Sequence, residues 1–133
     1  MKNRPFPEAS PHGELRELFD DIYFVSGGVR MGKGVRFSRN MVVVREGESL
    51  TLINSMRLGE PGLAALEKLG KVEHVIRLAG FHGMDDAFYK DRYDATVWNV
   101  DGMVYASGFD AAKEGVEPYF EADRTVSTGD ELP

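Results

Sequence analysis

The chain has 133 residues, about one domain, and its 42% hydrophobic and 29% charged content is that of a globular protein. It has no cysteine, which excludes disulfides and thiolate ligands, so any metal site must use histidine, carboxylate or water. A net charge of −6 without a basic block argues against nucleic acid as a partner, and no apolar run approaches the ~20 residues that cross a bilayer, so no membrane partner is expected either.

The start, MKNRPFPEAS, lacks the apolar core of a signal peptide, and with the missing cysteines this fits a cytoplasmic location. Pro5, Pro7, Pro11 and Gly13 predict an irregular N-terminal arm over residues 1–18, with His12 exposed in it and one helical turn available at 14–19. A β-prone run at 22–25 ends at Ser26, Gly27 and Gly28. The next segment, GGVRMGKG, matches the phosphate-loop spacing through Gly27, Gly32 and Lys33. Gly34 stands where a Ser or Thr should meet magnesium, and a strand-like VRFSR follows where a helix N-terminus is required. The segment therefore reads as a glycine-rich connection between two strands.

Residues 41–45 and 50–53 form a hairpin around the turn at 46–49. Pro61 opens a helix that carries Leu63, Leu66 and Leu69 on one face and stops at Gly70. The following 26 residues, VEHVIRLAGFHGMDDAFYKDRYDATV, read as strand, polar loop, helix and strand. Two strands joined through a helix should be parallel. The loop at the carboxyl end of the first strand, where open α/β folds place ligand chemistry, holds His82, Asp85 and Asp86. Beyond Trp98 come a turn at Asp101 and Gly102, a β-prone run at 103–105 and another at 116–120. The last residues, STGDELP, read as the start of a further turn or strand, so the 133 residues are expected to be incomplete at the C-terminus. The order predicts an α/β fold with a mixed β-sheet, antiparallel early and parallel late, and helices on one face. Its other face needs a cover: a partner, a homodimer or a missing C-terminal half.

Over about residues 20–105 the sequence resembles the N-terminal half of the metallo-β-lactamase superfamily. The resemblance is carried by the ordered phrases MVVVREGESLTLINS, LAALEKLG and KVEHVIRLAGFHGMDDAFYKDRYDATVW. It implies one metallo-β-lactamase-like domain over 1–133, the first half of an αβ/βα sandwich. Active members carry His-x-His-x-Asp-His in the loop after the strand, where zinc or iron acidifies a bound water for hydrolysis. Here the loop reads His82-Gly83-Met84-Asp85-Asp86-Ala87. With His82 in the first place, Met84 replaces the second histidine, Asp86 keeps the aspartate and Ala87 replaces the last histidine. With His82 in the second place, Gly80 replaces the first histidine, Met84 the aspartate and Asp85 the last histidine. The hairpin strand usually ends in Asp in the superfamily; here Asn54 and Ser55 stand there.

The resemblance thus implies an eroded metal site of His82, Asp86 and Asp85. The function it implies is metal-dependent hydrolysis of an ester, amide, thioester or phosphoester in an unidentified small-molecule substrate. The competing expectation is a non-catalytic scaffold of the same fold. In that case Asp85 or Asp86 caps the following helix and the other suits its dipole, and the free sheet face meets a partner. Arg77 is placed to answer an acidic neighbour, His74 is expected to be structural, and Tyr23, Phe24, Phe88, Tyr89 and Trp98 to be core.

Overall fold

The computed structural model describes residues 6–30, 33–79, 83–101 and 122–133. Seven strands lie side by side in chain order: β1 (Arg16–Phe19), β2 (Ile22–Arg30), β3 (Arg36–Glu46), β4 (Ser49–Ile53), β5 (Lys71–Ile76), β6 (Thr96–Val100) and β7 (Arg124–Val126). Helix α1 (Glu60–Leu69) joins β4 to β5, and α2 (Asp86–Tyr93) joins β5 to β6. The strands β1 to β4 pair antiparallel and β4 to β7 pair parallel, so the expected mixed sheet is present.

Strand alternation divides the sheet into two chemically different faces. Tyr23 pairs with Val43 and Val43 with Leu52; Val25 pairs with Met41, and Val75 with Val97. All of these belong to one core cluster with Leu63 and Leu66 of α1 and Phe88 and Tyr89 of α2. Both helices therefore cover the same face. The opposite face carries Phe24, Val42, Val44, Ile53, Ile76 and Trp98, none of which joins that cluster. Ile76 is buried there, and the other five are half-buried. Phe24 and Trp98 were expected in the core. They sit on the second face because their register positions oppose those of the core residues.

The glycine-rich segment is partly strand: Gly27 pairs with Arg39 and Gly28 with Ser38, so β2 runs to Arg30. Glycine at 27 has a packing reason. A Cβ there would lie 2.6 Å from Met56 Sδ and 2.9 Å from His12 Cβ. Gly70 likewise permits close approach, since a Cβ would run into the Glu48 carbonyl, which accepts a hydrogen bond from Lys71 N at 2.7 Å. That contact starts the parallel pairing of β4 with β5.

Several expectations are corrected. The helical turn at 14–19 is the strand β1, so the irregular arm ends before Arg16. His12 is half-buried and bridges to Gly27. The strand β5 stops at Ile76, and α2 starts at Asp86 rather than Met84. β7 lies in a region without readable periodicity; it is held by the register Trp98↔Arg124 to Val100↔Val126 and by Asp123, which accepts a hydrogen bond from Val97 N. The runs at 103–105 and 116–120 lie outside the described residues, as do Gly80 and His82.

Candidate functional site

The carboxyl ends of β4 and β5 meet the N-terminus of α2. Inward alternation on β3 continues from Val43 through Met41 to Arg39, and on β5 from Val75 past Ile76 to Arg77. Both arginines therefore point to the helix side. There they meet Asp85 and Asp86.

Asp85 occupies the N-cap position of α2, yet its side chain makes no capping hydrogen bond. Its Oδ2 instead accepts from Arg57 N at 2.8 Å and lies 2.9 Å from Arg39 Nη1. Capping is thus correct in position and wrong in chemistry: two stronger partners turn the carboxylate away from the helix. Asp86, in the first turn, suits the helix dipole as expected. Its Oδ1 accepts from Ser55 Oγ at 2.6 Å, and its Oδ2 faces Arg77 Nε at 3.4 Å. The side chains of Asp85, Asp86 and Arg77 are at most 2% exposed, and that of Arg39 is 12% exposed. Burial pushes both carboxyls above the ordinary carboxylate range. For Asp85 this is opposed by Arg57 and Arg39, and for Asp86 by Ser55 and Arg77.

Further contacts surround this arrangement. Gly83 has φ +110°, and a Cβ on it would lie 2.9 Å from Arg77 Cδ. Asn54, at φ 55°, accepts from Leu78 N through Oδ1. Tyr89 Oη donates to the Met56 carbonyl at 2.7 Å and accepts from Leu58 N at 3.3 Å. Burial raises its phenol, which stays a donor. Arg57 in turn stacks 4.3 Å from the Phe88 ring centroid and donates to the Pro7 carbonyl at 2.6 Å. Arg39, Ser55, Arg57 and Tyr89 had not been assigned to the site from sequence. The available signal was a charge on the inward phase of a strand.

This arrangement of sheet, helices and loop defines a class. No family model matches the sequence, and no match is found among curated proteins. Solved structures do match, and they are metallo-β-lactamases. The DIM-1 metallo-β-lactamase exposed to ceftazidime superimposes with a TM-score of 0.61 at 13% identity, over 93% of this chain and 57% of that one. The FIM-1 enzyme from Pseudomonas aeruginosa in its mono-zinc form gives 0.59 at 12%, over 90% and 52%. A metallo-β-lactamase from Hirschia baltica gives 0.58 at 11%, over 85% and 51%. The chain has the metallo-β-lactamase fold across about half the length of these structures.

Zinc or iron, which that likeness implies, does not fit the residues described. Among them no group of three or more His, Asp or Glu side chains is placed to hold a metal ion. His12 and His74 lie elsewhere: His12 on the N-terminal arm, and His74 on the opposite face, where its Nδ1 accepts from Trp98 Nε1 at 3.2 Å. Asp85 Oδ1 makes no hydrogen bond among the described residues. Two carboxylate oxygens without a hydrogen bond among the described residues, Asp85 Oδ1 and Asp86 Oδ2, lie beside two guanidiniums, and this is a poor cation site because the guanidiniums already supply the positive charge.

Proposed function

We propose that this chain is a non-catalytic, metallo-β-lactamase-like half-domain whose motif loop is an ion-paired structural lock. The observation that carries this reading is the pairing of Asp85 with Arg39 and Asp86 with Arg77 at buried positions. Two of the three expected metal ligands are committed to arginines, and releasing either would leave a buried unpaired charge. The half-buried apolar face of the sheet supports the rest of the reading. A second layer packs on it, either as further chain corresponding to the other half of the matched structures or as a homodimer partner.

The alternative is metal-dependent hydrolysis of an unidentified small-molecule substrate with His82, Asp86 and Asp85 as ligands. It has the fold likeness in its favour and requires both ion pairs to open. Thermal unfolding with and without a strong chelator separates the two. The lock predicts the same Tm in both. A marked drop in chelator, reversed by added zinc, would overturn it, since ligand binding to the native state raises Tm.

A further inference from the structure

We propose that His12 is a proton-operated latch that fastens the N-terminal arm across α1 and releases it as pH falls. The arm, residues 6–13, lies against the helix face. Phe6 meets Phe88 edge-on at 6.2 Å between centroids, and Arg57 donates to the Pro7 carbonyl. Gly13 N donates to the Ser26 carbonyl at 2.7 Å, and Gly28 N to the Pro11 carbonyl at 3.3 Å.

The imidazole is held by both nitrogens. Gly59 N, at the N-cap of α1, points at His12 Nε2 at 2.8 Å. A backbone N–H can only donate, so Nε2 carries no proton. His12 Nδ1 lies 2.7 Å from the Gly13 carbonyl, which can only accept, so Nδ1 carries the proton. One neutral tautomer satisfies both contacts. The ring also has a fitted seat: a Cβ at Gly62 would be 3.2 Å from His12 Cε1, and one at Gly59 would be 3.7 Å from Nε2.

A second proton on the ring destroys this arrangement. Nε2 becomes a donor facing a donor, and a positive charge appears at the N-terminus of a ten-residue helix, where the dipole disfavours it. The charged groups nearest these contacts along the chain are Glu60 in the first turn of α1, Arg57 two residues before Gly59, Glu8 on the arm and Glu14 just after it. β2 contributes Ser26, Gly27 and Gly28, none of which titrates. Opening the arm uncovers Phe88 and frees the Arg57 side chain, whose own backbone N–H holds Asp85.

The test is NMR on the labelled full chain. The imidazole nitrogens of His12 should report the Nδ1–H tautomer at pH 8. Protection of the Gly13 and Gly28 amides, corrected for intrinsic exchange, should fall about three- to tenfold between pH 8 and pH 5, the worth of one net hydrogen bond. Core amides such as Val43 should not change. His12→Asn keeps an acceptor that does not titrate, and it should hold the arm equally at both pH values. A protonated Nε2 at pH 8 would overturn the latch. So would constant arm protection in the wild type, or the same loss in His12→Asn.

Discussion

At Asp85 two partners decide what a motif carboxylate can do. Arg39 and the Arg57 amide both meet its Oδ2, and no exposed surface remains on the side chain. Removing one member of such a pair strands the other in low dielectric. Arg39→Met and Asp85→Asn should each cost about 3–5 kcal/mol in urea unfolding, and the double variant should cost clearly less than their sum. Additive costs would mean that the pair does not interact. Gly83 belongs to the same scale. At φ +110° an alanine is strained, and its Cβ would press on Arg77 Cδ. Gly83→Ala should lose about 1–3 kcal/mol by chemical denaturation, although it removes no contact.

At the scale of elements, the lesson lies in strand phase. The hydrophobic runs of β3, β4, α1 and β5 were legible because each has the period of its structure, and the parallel pairing of β5 with β6 followed from the helix between them. Arg39 and Arg77 share the inward phase of Met41 and Val75. Their acidic partners are distant in sequence, and only the assembled sheet brings them together. β7 was illegible for a different reason. Three residues, RTV, have no periodicity to read, and non-local contacts fix them. Lys90 of α2 pairs with both carboxylate oxygens of Asp123, and Oδ2 also accepts from Val97 N on β6. The Lys90 hydrogen bond, then that of Val97, holds the Asp123 carboxyl below its usual range. A depressed carboxyl stabilises the fold above its unfolded value of about 3.9, and the contribution is lost as pH falls below that. Asp123→Asn should therefore weaken the wild-type protein near neutrality and flatten its stability profile in acid. Urea titrations at stepped pH would read both effects.

In the whole molecule, one sheet presents two different faces. The helix-covered face holds the core, the arm and the ion-paired loop. The other is an apolar, half-buried surface from Phe24 to Trp98. The sequence resemblance led to the correct fold, and the solved structures share it over about half their length. It could not indicate whether the eroded motif still binds metal, because that depends on which cations stand beside the aspartates. The most direct measurement is elemental analysis of the purified protein, wild type and His82→Ala. With both aspartates held by arginines, well under one metal ion per chain is expected in both. Near-stoichiometric zinc, iron or manganese in the wild type that disappears in His82→Ala would contradict it, and would return Asp85 and Asp86 to the role of ligands.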